Sequence, residues 1–256
     1  MTNHSGTSPI KNPKLPQRIL WRCKNRFPRI AWAFRWLRPS RRKERKHWRA
    51  KSTQEIFETI WEENNWGSPE SRSGAGSTLK ATEHLRAELS KVTTKLGIRT
   101  MLDAPCGDFN WMQHCQLGID KYIGADIVPN MVSKLQLKYT SPSRSFIHLD
   151  ITTDPLPQTD ALFCRDLFLH LSNEHIHRIL DNYIKSNSRY LIASTYLDTR
   201  VNFDNFTGGV RMINLCLPPY SLPEPLTYIV DRGEGPFERA LGVWSREQVR
   251  AAQRGD

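Results

Sequence analysis

The chain has 256 residues, enough for one α/β domain with an appendage and a fully buried core. With 38% hydrophobic and 25% charged residues its composition is that of an ordinary globular protein, and no apolar run approaches the ~18 residues of a membrane span. The net charge of +11 is local: residues 1–52 hold sixteen Lys/Arg against one acid, Glu44, while the remainder holds 21 basic against 25 acidic residues. Five scattered cysteines (Cys23, Cys106, Cys115, Cys164, Cys216) form no CxxC pair, so neither a zinc ribbon nor a redox dithiol is supported, and no metal site is expected. No signal-type apolar stretch opens the chain, and a reduced, cytoplasmic location is the expectation.

Two domains are expected, a basic arm over 1–52 and a body over 53–256. Residues 1–16 are polar and aperiodic, composed for disorder. The segment that follows alternates Arg/Lys with Trp, Phe, Ile and Leu, and PRIAWAFRWL (28–37) reads as a short helix opened by Pro28 and closed by Pro39. Trp and guanidinium groups suit a lipid headgroup boundary, which would place the protein peripherally at the inner face of the membrane. The same residues suit RNA, or a basic extension docked on its own acidic body. These three readings of the arm stay open.

From residue 53 the pattern becomes regular. STQEIFETIWEENNW carries a cap and an apolar face (Ile56, Phe57, Ile60, Trp61), GSPESRSGAGS (67–77) is a Gly/Ser loop, and residues 78–97 form an amphipathic helix stopped by Gly97. Strands then alternate with helices: RTMLDA, a helix near 109–117, KYIGADIV, a helix from Pro129 to about Lys138, RSFIHLDI, DALFCRDL, a helix capped by Ser172 to about Lys185, and RYLIASTY. PLTYIVD and ERALGVWS close the pattern, joined by RGEGPF, too short for a crossover, and so form an antiparallel hairpin. The fold class is α/β, a doubly wound and mostly parallel sheet, in which ligands bind at the carboxyl ends of the strands.

Acids stand at all four of the first strand ends: Asp103, Asp126, Asp150 and Arg165-Asp166. A helix cap is the plain alternative for any one of them, and for Asp108 above all. Cys106 in the first turn is either a nucleophile or a small residue filling the turn. That turn, Asp103-Ala-Pro-Cys-Gly107-Asp108, has one glycine, an acid on each side and a proline that removes an amide, so it is a poor cradle for a pyrophosphate. No GK[ST] is present for a P-loop. S-adenosylmethionine (SAM) has no phosphate and carries an ammonium and a sulfonium, and it fits. Asp103 is placed toward the ammonium side, with Ala104 and Gly107 in the turn. Asp126 is placed for the ribose hydroxyls and Asp150 for the adenine amino group, between apolar walls Ile127 and Ile151.

MLDAPCGDFNWM, YIGADIVPNMV, FIHLDIT and ALFCRDLFLHLS, in this order, resemble class I SAM-dependent methyltransferases, and most of all a bacterial group whose first motif reads DAPCGD in place of DxGxGxG. The resemblance covers about residues 55–247. It implies a seven-stranded sheet with one antiparallel strand, SAM held at Asp103, Gly107, Asp126 and Asp150, and methyl transfer near the end of the fourth strand.

Around that fourth strand Asp166 is the favoured general base, His170 the alternative, and Arg165 the group that orients Asp166. The strand lacks the [ND]PPY signature of amide and exocyclic-nitrogen methylation, which favours an oxygen acceptor. Arg72, in the Gly/Ser loop, is placed to meet the methionine carboxylate. The long connection 198–225 offers Asn202, Asp204, Arg211 and Asn214 to a hydroxyl-rich acceptor, with Trp66 as a stacking platform, or else it is only a cover for the sheet edge. A sugar hydroxyl on a glycan or glycolipid is the expected acceptor. The competing readings are RNA methylation through the basic arm and a non-catalytic SAM-binding module.

Overall fold

In the computed structural model, which describes residues 39–231 and 238–255, the alternating pattern closes into one seven-stranded sheet. The strands are β1 (Thr100–Asp103), β2 (Lys121–Asp126), β3 (Arg144–His148), β4 (Ala161–Cys164), β5 (Tyr190–Tyr196), β6 (Thr227–Val230) and β7 (Arg239–Ser245). Their order is β3-β2-β1-β4-β5-β7-β6, and β7 alone runs antiparallel, between β5 and β6. The helices are α1 (Pro39–Arg49), α2 (Thr53–Glu62), α3 (Glu83–Lys95), α4 (Pro129–Tyr139), α5 (Asn173–Lys185) and α6 (Arg246–Arg254).

The central strands explain the topology. Met101 and Leu102 in β1, and Leu162 and Phe163 in β4, are fully buried, so both faces of the sheet are covered, as parallel strands require. α4 packs on β2 and β3, and α5 packs against α6, where His177 Nδ1 lies 3.0 Å from Gln253 Oε1. α2 opens on a capping box: Ser52 Oγ accepts from the Glu55 amide, and Glu55 Oε2 accepts from the Ser52 amide at 2.7 Å.

Several expectations are corrected. The expected helix near 109–117 is only a single 3-10 turn, Met112–His114. Phe109 adopts φ 59° and drives its ring among Tyr122, Tyr139 and Phe146, which breaks helical continuation. α3 begins at Glu83 rather than 78, and β3 ends at His148, two residues before Asp150. α6 was not expected, although Ser245 and Gln248 form a full capping box at its start. The helix expected over 28–37 and the RGEGPF connection lie outside the described residues. Pro39, expected to close a helix, opens one, at the first helical position that proline favours.

α1 is strongly basic, and yet Trp48 on it joins the main core, beside Ile56 and over Gly208. Gly208 has φ 91°, and a Cβ there would meet Ile56 at 2.8 Å and the Trp48 ring at 3.3 Å. The described end of the arm is therefore seated on the body. Trp48→Ala should cost about 3–5 kcal/mol in chemical denaturation, and an unchanged midpoint would show that α1 is not part of the cooperative unit.

Candidate functional site

A cavity of about 370 Å³ opens at the carboxyl ends of β1, β2 and β4. The turn after β1 forms its floor, the ends of β2 and β3 one side, the end of β4 the other, and residues 73–77 with α2 its cover. Asp103, Ala104, Gly107, Asp126, Ile127, Asp150 and Ile151 all line it, together with Arg165, Asp166, His170 and Trp66.

The turn is closed to anions by its own hydrogen bonds. The Ala104 amide donates to the Phe163 carbonyl (2.9 Å) and that of Cys106 to the Ala125 carbonyl (2.9 Å). The Gly107 amide donates to Asp126 Oδ2 (3.1 Å) and that of Asp108 to Ser73 Oγ (3.0 Å). Pro105 has no amide, so every N–H from residue 104 to 108 is already spent on a protein acceptor. Gly107 has φ 54°, and a Cβ there would sit 2.2 Å from Ser73 Oγ, so both conformation and crowding require glycine. The Cys106 thiol is buried, and burial followed by the Asp126 and Asp103 charges pushes it well above its usual value, which disqualifies it as a thiolate nucleophile.

The strand-end acids differ in environment. Burial pushes Asp103 up to about 8, even though Tyr122 donates to its Oδ2 at 2.5 Å. Burial also pushes Asp126 up, to about 6, against the pull of the Val128 and Gly107 amides that it accepts. Asp150 Oδ1 closes a turn on the Thr152 amide (2.8 Å) and hydroxyl (2.6 Å). The carboxyls thus gather on one wall of a largely apolar cavity.

At the end of β4 the chemistry changes. Arg165, Asp231, Arg239 and Asp166 alternate in sign around a ring: Arg165 Nε to Asp231 Oδ2 2.8 Å, Arg239 Nη2 to Asp231 Oδ1 2.9 Å, Arg239 Nη1 to Asp166 Oδ2 2.6 Å, and Arg165 Nη1 to Asp166 Oδ2 3.5 Å. Asp166 takes φ 53° and is pinned further by Ser194, whose Oγ accepts from its amide (2.9 Å) and donates to its Oδ1 (3.2 Å). Burial alone would raise the Asp166 carboxyl, but Arg165 and Arg239 outweigh it and hold it below the usual range. Burial pushes His170 down to about 4, so its ring is neutral at neutral pH, with Asp166 pulling the other way. His170 Nδ1 lies 3.3 Å from the Gly209 carbonyl, an acceptor, which assigns the proton to Nδ1 and leaves Nε2 a lone pair. Trp66 lies against that ring, centroids 5.2 Å apart.

Five of the residues expected at the site do not line the cavity. Arg72 is exposed, donating to the Trp61 carbonyl (3.0 Å) with its guanidinium over the Trp61 ring. Asn202 staples the 198–225 connection, donating to the carbonyls of Asn214, Leu217 and Pro218 and accepting from the Asn214 amide. Asp204 accepts from the Asn173 amide (2.8 Å) at the start of α5, and buried Arg211 donates to the Leu171 carbonyl, Asn173 Oδ1 and Tyr220 Oη. Asn214 likewise serves the loop, accepting from the Cys216 amide. For the four on the 198–225 connection the physical reason is common: a long connection folded onto a core meets backbone groups, its own and its neighbours', that must be satisfied, and its polar side chains do so.

Other roles emerge only from the structure. Asp108 accepts from Ser71 Oγ (3.1 Å), Ser73 Oγ (3.2 Å) and the Arg72 amide (2.8 Å), latching the upstream loop to the turn after β1. Arg239 and Asp231 complete the charge ring, and Arg165 Nη2 reaches the Gly76 carbonyl (2.9 Å) in the cover. Among the described residues no group of three or more His, Cys, Asp or Glu side chains is arranged to hold a metal ion, and no helix is long and apolar enough to cross a membrane.

The strand order, with its single antiparallel strand next to the edge, decides the fold. The chain has the class I methyltransferase fold. Among solved structures it is similar to human N-acetylserotonin methyltransferase in complex with SAM (12% identity, TM-score 0.53), covering 76% of this chain and 60% of that one. It is also similar to magnesium protoporphyrin IX methyltransferase from Synechocystis with bound SAH (13% identity, TM-score 0.51, 72% of this chain and 92% of that one). A third is the N-methyltransferase NodS from Bradyrhizobium japonicum (11% identity, TM-score 0.50, 65% and 96%). The chain thus spans about three fifths of the length of the human enzyme. No family model matches the sequence, and no curated protein shows significant similarity to it.

Asp108→Ala should destabilise the protein by about 2 kcal/mol and accelerate hydrogen exchange at the Arg72 amide while leaving β1 protected. Equal protection of Arg72 in the variant would refute the latch.

Proposed function

We propose that this protein is a SAM-dependent methyltransferase acting on an acceptor hydroxyl. The observation that carries the reading is the turn after β1: its amides are spent internally, and carboxyls rather than donors face the cavity beside it. A phosphate-bearing dinucleotide would meet charge repulsion there, whereas a ligand with an ammonium and a sulfonium meets favourable charge. In this reading Asp126 accepts from the ribose hydroxyls and Asp150 takes the adenine amino group between Ile127 and Ile151. Asp103, with Ala104 and Gly107, borders the methionine end. The fold neighbours with SAM or SAH in their structures support the same cofactor.

When bound, SAM supplies a methyl group for in-line displacement, so the chain's task is to position the acceptor, exclude water and take its proton. His170 is assigned that proton, because its Nε2 is neutral and unshared. Asp166 is the weaker candidate: both its oxygens are committed and two guanidinium groups lower its basicity. It acts instead on the imidazolium as that forms, with Arg165 and Arg239 holding it in place. Trp66 borders the acceptor end, an apolar platform for a sugar ring, and the absence of [ND]PPY after β4 supports oxygen over nitrogen. The acceptor is a sugar hydroxyl of a glycan or glycolipid, met by a catalytic domain over 53–256. The basic arm over 1–52, its end seated on the body through Trp48, holds the protein to the cytoplasmic face of the membrane, where a lipid-linked acceptor resides.

Calorimetric titration should give micromolar SAM binding and none of NAD, and Asp126→Ala should weaken SAM by about 10–100-fold through loss of charge-assisted hydrogen bonds. No SAM binding by folded wild-type protein would overturn the reading. Once an acceptor is in hand, His170→Ala should lower kcat by about 10²–10⁴-fold and Asp166→Asn by less, and kcat at saturating SAM should fall only as the pH drops toward the low value of His170. The reverse ranking would return the base to Asp166.

A further inference from the structure

Tyr122 stands on β2 behind the cavity wall and does not line the cavity. Its ring is buried against Phe109 and Phe146, at 5.3 and 6.1 Å between centroids, and its hydroxyl donates to Asp103 Oδ2 at 2.5 Å. Asp103 does line the cavity, and only 2% of it is exposed. The other ionisable groups around it are Asp126 on β2, Arg165 beyond β4, and the thiols of Cys106, Cys115 and Cys164. Burial keeps all three thiols neutral. Arg165 is committed to Asp231, Asp166 and the Gly76 carbonyl.

Asp103 is therefore a carboxyl in an apolar wall, beside a second acid, whose nearest cation is already paired. Burial raises its pKa to about 8, the Tyr122 hydrogen bond draws it down, Asp126 raises it and Arg165 lowers it. Such a group keeps its proton until a new positive charge arrives. We propose that Tyr122 is a positioning residue of the donor site: its hydroxyl holds Asp103 Oδ2 so that the carboxyl surrenders its proton to solvent when a cationic ligand enters, coupling donor uptake to proton release. This rests on the SAM reading above. The balance is simple: the neutral acid and the cationic ligand become a carboxylate paired with that ligand, and one proton goes to the buffer. The sign follows. Below the pKa of Asp103 in the free protein the proton must be removed for binding, so affinity rises with pH in that range and levels off above it.

The test is calorimetry in two buffers of different ionisation enthalpy, with SAM, SAH and adenosine as probes, on wild type, Tyr122→Phe and Asp103→Asn. Asp103→Asn is the baseline for every other titrating group, the ligand's own ammonium included. Relative to that baseline, wild type should release close to one proton per SAM at pH 7 and bind about tenfold more tightly at pH 7 than at pH 6. Adenosine, which lacks both cations, should release none. Release with SAH as well would locate the ammonium against Asp103; release with SAM alone would locate the sulfonium there. Tyr122→Phe keeps the buried ring, so adenosine affinity should be unchanged while SAM affinity at pH 7 falls by about tenfold. SAM binding without proton release above the baseline, or a Tyr122→Phe protein that binds SAM and adenosine as wild type does, would overturn the proposal while leaving the cofactor reading intact. Absence of SAM binding would fell the cofactor reading first, and this proposal with it.

Discussion

The amide of Gly107, donated to the carboxylate of Asp126 across the gap between β1 and β2, sets the character of the site. Where a phosphate-binding turn leaves its amides pointing at the ligand, this one gives them to a carboxylate, a serine hydroxyl and two backbone carbonyls. The polarity of the cavity is thereby inverted. Its floor presents acids, and these are buried deeply enough that Asp103 and Asp126 are both raised toward or past neutrality. A cationic ligand relieves that cost, whereas an anionic one would add to it. The single glycine of the turn is enough because close approach is needed only once, where Ser73 packs on Gly107.

The opposite end of the cavity uses charge differently. Arg165, Asp166, Asp231 and Arg239 come from the end of β4, the end of β6 and the start of β7, and each charge is met by opposite charges. Buried ion pairs contribute little net stability, but breaking one leaves an uncompensated charge, so such a ring favours one geometry strongly. It fixes Asp166 in a left-handed backbone conformation and carries the position of the sheet to the cover through Gly76. The cover is thus fastened at both ends, by Asp108 beside the turn after β1 and by Arg165 beside β4.

Much of this was legible in the sequence. The strand–helix period placed Asp103, Asp126 and Asp150 on one sheet edge, because topology puts successive parallel strand ends together. The hairpin was legible from the shortness of its connection. What escaped were pairings made across space. Nothing in DAPCGD says that Asp108 serves the loop 35 residues earlier, and nothing near Arg239 names Asp166 as its partner. The 198–225 connection misled for the opposite reason: Asn202, Asp204 and Arg211 have the chemistry of ligand contacts, but a connection folded onto the core spends Asn202 on its own backbone and Asp204 and Arg211 on the segment that leads into α5. Trp48, in a run of basic residues, was read as arm and is core.

The central claim is that the cavity above the β1 turn receives a phosphate-free, cationic nucleoside ligand. A crystal structure of the protein grown with SAH tests it most directly. The account predicts the ribose hydroxyls on Asp126, the adenine between Ile127 and Ile151 with its amino group toward Asp150, and the ammonium on the side of Asp103. Density for the nucleoside in another place, or an anion bound at the Gly107 turn with its amides turned outward, would contradict it.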